Sequence, residues 1–166
     1  MKQIFVHLDK CTGCKTCELA CAVEHSKTKN LFAAIFETPR PAHHLYVQAA
    51  LGKPVPILCR HCDDAPCLNA CISGAIFHDP QREGVVMQRG DKCIGCWTCV
   101  MMCPYGVIGR QHNGRRIAIK CDRCPDRDVP VCVASCPTKA LEYEEVEVFA
   151  QERRGEFATS VAAAGR

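Results

Sequence analysis

Four times along the chain a short run of β-type residues gives way to a loop, then to a brief helical stretch, then to a second β-type run. The lead-in runs are Gln3–Leu8, Val55–Leu58, Val85–Gln88 and Arg116–Lys120, and the lead-out runs are Leu31–Phe36, Ala75–Phe77, Gly106–Ile108 and Ala140–Tyr143. Runs of this length and composition, bounded by turn formers, predict short strands. Two stretches carry hairpin signals: Ala75–Gln88 through Asp79-Pro80 and Gly84, and Val107–Ile119 through Asn113-Gly114. The insertion 22–54, with Pro39-Arg-Pro41 and Lys53-Pro-Val-Pro56, reads mostly as loop with a short helix near Tyr46–Leu51. The tail 146–166 reads as a frayed end or a docking arm. No apolar run approaches the roughly 18 residues needed to cross a bilayer, so a soluble, cytoplasmic chain is expected.

The loops between the runs hold the chemistry. Sixteen cysteines occur among 166 residues. They fall into four groups: Cys11, Cys14, Cys17, Cys21; Cys59, Cys62, Cys67, Cys71; Cys93, Cys96, Cys99, Cys103; and Cys121, Cys124, Cys132, Cys136. Groups one and three have the spacing C-x2-C-x2-C-x3-C, the run that holds [4Fe–4S] clusters in bacterial ferredoxins. Structural zinc takes paired C-x2-C knuckles and has no use for the third and fourth cysteines at these intervals. Disulfides belong to oxidising compartments, and Met1–Leu8 lacks the apolar segment of a secretory leader. Sixteen thiolates at four per cluster predict four cubanes.

Composition agrees. Aromatic residues make up 6% of the chain, and ten prolines and eleven glycines interrupt it. The polypeptide core is therefore modest, and clusters are expected to supply much of the folding energy, leaving the apoprotein largely unfolded. The formal charge of +3 counts every thiol as neutral. With roughly −2 on each oxidised cluster and its thiolates, the loaded protein carries about −5, so the formal positive charge is no argument for nucleic-acid binding. Lys10, Lys15, Arg60, Lys92, Lys120 and Arg123 lie beside the cysteines; they read either as solvated charge or as counter-charge that raises cluster potentials. No G-x-G-x-x-G, Walker loop or Ser/His/Asp arrangement appears, so a non-catalytic role is expected.

Which groups share a module is only partly determined by pattern. The Ala75–Gln88 hairpin joins group two to group three, leaving group one for group four. The second hairpin signal, Val107–Ile119, keeps the sequential pairing (one with two, three with four) open. The 37 residues between Cys21 and Cys59 weigh against pairing one with two.

Three stretches carry a family resemblance: Cys59-Arg-His-Cys62-Asp-Asp-Ala-Pro-Cys67-Leu-Asn-Ala-Cys71, Asp91-Lys-Cys-Ile-Gly-Cys-Trp-Thr-Cys-Val-Met-Met-Cys-Pro-Tyr-Gly106, and Cys121-Asp-Arg-Cys124 followed by Pro130-Val-Cys132-Val-Ala-Ser-Cys136-Pro-Thr-Lys-Ala-Leu141. The chain resembles, over roughly residues 1–145, the four-cluster iron–sulfur subunits of the dimethyl sulfoxide reductase β-subunit type. Relatives of that type serve formate dehydrogenases, hydrogenases, carbon monoxide dehydrogenase and tungsten aldehyde oxidoreductases. The resemblance implies an α+β fold: two ferredoxin-like modules, each with two [4Fe–4S] clusters, in one compact chain. One module spans 1–54 and 107–145, the other 55–106. It also implies the ligand sets: Cys11, Cys14, Cys17 and Cys136 for cluster one; Cys121, Cys124, Cys132 and Cys21 for cluster two; Cys59, Cys62, Cys67 and Cys103 for cluster three; Cys93, Cys96, Cys99 and Cys71 for cluster four. Cys96 is present where some relatives carry another residue and a three-iron cluster.

Proline follows Cys103 and Cys136, but Ala22 follows Cys21 and Ile72 follows Cys71, a departure that leaves ligation untouched. The implied function is electron relay between a catalytic subunit (molybdenum or tungsten, nickel–iron, or nickel–iron–sulfur) and a second redox partner such as a flavoprotein or ferredoxin. Self-association is a further expectation from a two-ended wire. The alternatives are a free-standing polyferredoxin and a zinc-binding structural module. His61 reads as a hydrogen-bond donor near a cluster, Trp97 as a shield against solvent, and His43 and His44 as surface residues.

Overall fold

The computed structural model describes residues 1–112 and 116–164. Eight short strands pair into four antiparallel two-stranded ribbons. They are β1 (Lys2–Val6) with β8 (Leu141–Glu145), β2 (Tyr46–Ala50) with β3 (Lys53–Ile57), β4 (Ile76–His78) with β5 (Val86–Gln88), and β6 (Gly109–His112) with β7 (Arg116–Ile119). Between them lie α1 (Thr16–Glu24), α2 (Leu31–Ala34), α3 (Pro66–Asn69), α4 (Thr98–Met102), α5 (Val131–Ala134) and, after β8, α6 (Val146–Ala164). The mixed α/β character, short hairpins and short helices match the expectation.

Two of the four ribbons pair in nested order, while β6 with β7 joins the segment after group three to the lead-in strand of group four. Lys2 faces Glu145 and Val6 faces Leu141, so the lead-in strand of group one meets the lead-out strand of group four. Ile76 faces Gln88 and His78 faces Val86, joining the lead-out of group two to the lead-in of group three. Two apolar clusters follow this pairing in part, with Leu58, which leads into group two, in the first and Ala118 of β7, which leads into group four, in the second. Ile4, Leu45, Val47, Leu58 and Leu141 pack with Cys17, Cys21 and Cys132; Ala65, Ile76, Val86, Ile108 and Ala118 pack with Cys99. Burying an aliphatic side chain of this size contributes roughly 1.5–3 kcal/mol, and each cluster holds only a few.

Several elements differ from the expectation. Leu31–Phe36 is not a strand: Leu31–Ala34 is helical because the Asn30 side chain caps it, accepting from the Phe32 and Ala33 amides at 3.0 and 3.2 Å. Tyr46–Ala50 is a strand rather than a helix. The dipeptide Leu51-Gly52 turns with both residues at positive φ (50° and 75°), the hairpin geometry that suits strand twist. Pro54 and Pro56 fit opposite it because a two-stranded ribbon leaves outward amides unneeded. Gly106–Ile108 is not strand; pairing begins at Gly109, although Val107 and Ile108 are buried. The tail is helical through Ala164 rather than frayed, seated at its start by Phe149 stacked on Phe5 at 3.8 Å. The turn expected at Asn113-Gly114 lies outside the described residues. The helices carry the third cysteine of each group (Cys17, Cys67, Cys99, Cys132), whereas of the fourth cysteines only Cys21 sits inside one.

Candidate metal centres

The four cysteine loops come in two backbone types. In groups one and three a glycine sits between the first two cysteines, at positive φ: Gly13 at 72° and Gly95 at 70°. A Cβ at Gly95 would run into the Arg116 carbonyl, and one at Gly13 would lie 3.0 Å from Pro54 Cβ. Lys15 (59°) and Trp97 (65°) then turn left-handed and launch α1 and α4. In group two the left-handed residue is His61 (47°), inside the C-x2-C, and in group four Arg123 (58°) and Cys124 (47°) both turn left-handed. His61 and Arg123 reach the lead-in strand of another group. His61 Nδ1 meets the Val86 amide on β5 at 3.1 Å, and Arg123 donates to the Lys2 carbonyl on β1 at 3.1 Å and to the Gln3 side chain.

These loops bring distant cysteines together. Cys11, Cys14 and Cys17 line one cavity with Cys136. Cys59, Cys62 and Cys67 line a second with Cys103. Cys93, Cys96 and Cys99 line a third with Cys71. Among the described residues no carboxylate lines any of the three. Burial pushes the Cys132 thiol up, and the charges of Cys121, Cys21, Cys124 and Cys17 add to the shift. Each of the three cavities thus holds three cysteines of one group and the fourth cysteine of another.

Burial disfavours free thiolates at several of these cysteines, while hydrogen-bond donors around the sulfurs suit metal-bound ones. Burial pushes Cys17 and Cys99 up to about 11, and it raises Cys121 further, with Cys59 adding to the shift. Such thiols keep their protons at neutral pH unless a cation replaces them. Donors point at the sulfurs. The amides of His44, Ala118, Arg123 and Ala140 lie 3.3, 3.5, 3.4 and 3.2 Å from the Sγ atoms of Cys21, Cys93, Cys121 and Cys136. Thr16 and Thr98 hydroxyls stand 3.4 Å from Cys14 and Cys96 and hold those thiols below their ordinary value. Soft donors in fours, with amide and hydroxyl hydrogen bonds to sulfur and apolar walls, fit an iron–sulfur core.

Other residues take distinct places. Trp97 lines the cavity of Cys71, Cys93, Cys96 and Cys99, with the Arg110 guanidinium 5.4 Å over its ring. His61 is buried, and burial, then Lys120 and Arg123, lower it to about 2, so it is neutral, and its Nδ1 lies 3.1 Å from both the amide nitrogen and the carbonyl oxygen of Val86. His44 is half-buried, with Nδ1 enclosed and unpartnered, which corrects its reading as a surface residue. It packs 3.9 Å from His25, a residue sequence reasoning missed. His25 Nδ1 lies 2.8 Å from the Cys21 carbonyl and Nε2 lies 3.1 Å from Asp122. Burial opposes charge on His25, yet Asp122 and Cys21 raise it to about 11. The i,i+4 spacing from Cys21 on a helix was the available signal. Of the six cations beside cysteines, Lys10, Lys15, Arg60 and Lys92 are exposed, while Lys120 (4%) and Arg123 (5%) are buried.

Residues 52–146 match the family described as 4Fe-4S dicluster domain. The chain is 38% identical to the electron transport protein HydN of Escherichia coli strain K12, across 91% of this chain and 94% of that one. It is 37% identical to an iron-sulfur protein of Rhodospirillum rubrum, across 88% and 83%. It is 35% identical to one of the chains of the anaerobic dimethyl sulfoxide reductase of Escherichia coli strain K12, across 93% and 78%.

Proposed function

Because the chain belongs to the family of 4Fe-4S dicluster domains and carries [4Fe–4S] clusters, we propose that it is a non-catalytic subunit that relays single electrons between a catalytic oxidoreductase subunit and a second redox partner. In this reading it holds four clusters in two modules, 1–54 with 107–145 and 55–106. The observation that carries it is that twelve of the sixteen cysteines line three cavities in sets of four, each with one member from a distant group; in this reading Cys21, Cys121, Cys124 and Cys132 make the fourth set.

The clusters, when bound, supply reversible one-electron storage. The chain's own residues hold and shelter them. Cys11, Cys14, Cys17 and Cys136 hold cluster one; Cys121, Cys124, Cys132 and Cys21 hold cluster two. Cys59, Cys62, Cys67 and Cys103 hold cluster three; Cys93, Cys96, Cys99 and Cys71 hold cluster four. The exchanged cysteines staple the two halves of each module, and His61 and Arg123 tie the same halves by hydrogen bonds. Trp97 keeps solvent from the set on which it lies. The setting is cytoplasmic, where thiols stay reduced; among the described residues no helix is long and apolar enough to cross a membrane.

The catalytic partner is a molybdenum or tungsten enzyme, a hydrogenase or a carbon monoxide dehydrogenase. A relative whose name makes it one chain of a reductase supports an enzyme partner. Anaerobic isolation of the native complex, with metal analysis of everything that accompanies the chain, tests this reading. Molybdenum, tungsten or nickel in a co-purifying oxidoreductase is the expected result. A brown monomer that purifies alone would favour a free-standing polyferredoxin instead. A colourless zinc protein would overturn both.

A further inference from the structure

Among the described residues Lys120 has no carboxylate counter-ion. Its side chain is buried (4% exposed). The ammonium donates to the Cys121 carbonyl at 2.9 Å and to the Val86 carbonyl. The acid in its neighbourhood, Asp122, lines the same polar cavity but is engaged by His25 at 3.1 Å and by the Cys124 amide at 2.9 Å. A buried charge left unpaired in this way is strongly unfavourable, and two neutral carbonyls do not cancel it.

The missing negative charge lies on the other side of the side chain. Lys120 also lines the cavity of Cys59, Cys62, Cys67 and Cys103, and through Cys121 it adjoins a second thiol set. It therefore stands at the junction between the two modules. The four exposed cations beside cysteines are screened by water; Lys120 is not, and its charge acts at low effective dielectric. Arg123, buried nearby, spends its guanidinium on Lys2 and Gln3 and so serves as a tie between strands.

We propose that Lys120 is the counter-charge of the cluster held by Cys59, Cys62, Cys67 and Cys103, and that it raises the reduction potential of that cluster. This rests on the four-cluster reading above. A fixed positive charge beside a cluster favours the reduced form, which carries one more electron. Lys120 is thus a positioning residue for charge, and it makes the junction between the modules a favoured residence for an electron.

The test is a redox titration of the anaerobically purified holoprotein, followed by electron paramagnetic resonance, for wild type, Lys120→Met and Lys120→Arg. In Lys120→Met one cluster should become harder to reduce. Its reduced-to-oxidised ratio at the wild-type midpoint should fall about tenfold or more, equivalent to ~59 mV or more for one electron. Lys120→Arg, which keeps the charge, should titrate close to wild type. Unchanged potentials in Lys120→Met at full iron content would overturn the proposal, as would a uniform shift of every cluster. If Lys120→Met instead assembles short of iron, a deficit of about one cluster that Lys120→Arg restores supports the counter-charge role. An equal deficit in Lys120→Arg overturns it, because shape and not charge would then be what position 120 supplies. A wild-type chain with no [4Fe–4S] signals would refute the cluster reading itself, a failure distinct from that of Lys120.

Discussion

At the scale of single residues, the cysteines divide by what they do for the chain. The third cysteine of each group sits on a helix among apolar neighbours, while Cys71, Cys103 and Cys136 each line a cavity with the first three cysteines of another group. This exchange makes a definite prediction about combinations. Cys136→Ser and Cys17→Ser share one set, so each should remove about four irons and the double variant no more than about four. Cys136→Ser with Cys132→Ser strikes two sets and should remove about eight. Iron analysis of the four proteins checks this; additive losses for the first pair would contradict the exchange. The cysteine identities were legible in the sequence because spacing within a loop is a local property. The burial of Lys120 was not, since Lys10, Lys15, Arg60 and Lys92 stand beside cysteines in the same way and differ only in what the fold lays over them. His25 escaped notice because its partner Asp122 is 97 residues away.

At the scale of elements, strands next to cysteine loops could be read, and segments inside the insertion could not. Leu31–Ala34 is apolar enough for a strand, but one capping residue, Asn30, decides for helix. Tyr46–Ala50 looks helical by composition, and the Leu51-Gly52 turn decides for hairpin. Contacts between elements also set a pH dependence. Glu24 at the end of α1 accepts from Arg127 in the group-four loop at 2.6 Å. Arg127, against the opposing effect of burial and with help from Lys29, holds the Glu24 carboxyl below its ordinary value. A depressed folded value stabilises above the unfolded value and is lost as pH falls through the folded one. Glu24→Gln should therefore cost about 1 kcal/mol, and the gap in melting temperature from wild type should stay constant from pH 8 to 5. It should close only in more acidic solution. A gap that changes between pH 8 and 6 would contradict this origin.

The terminal helix behaves differently. Beyond Ala150 every described residue of α6 is exposed, and an isolated helix of that length is marginal in water. Deleting 151–166 should leave iron content and melting temperature unchanged. A loss of iron, or a fall of more than about 3 °C, would show that the segment supports the core.

At the scale of the whole molecule, the nested ribbon pairing and the two apolar clusters describe a chain whose polypeptide interior is thin and is shared with cysteine side chains. The hydrophobic pattern announced the repeats, and the Ala75–Gln88 hairpin announced one junction. The other junction, β1 with β8, joins residues more than a hundred positions apart and follows only by elimination, once the Ala75–Gln88 hairpin takes groups two and three. A chain so built depends on its clusters both for its interior and for its function. The central claim is that all sixteen cysteines are spent on four [4Fe–4S] clusters. Iron and acid-labile sulfide per chain, measured on protein purified without oxygen, test it most directly. The account predicts about sixteen of each; about eight of each, or zinc in their place, would contradict it.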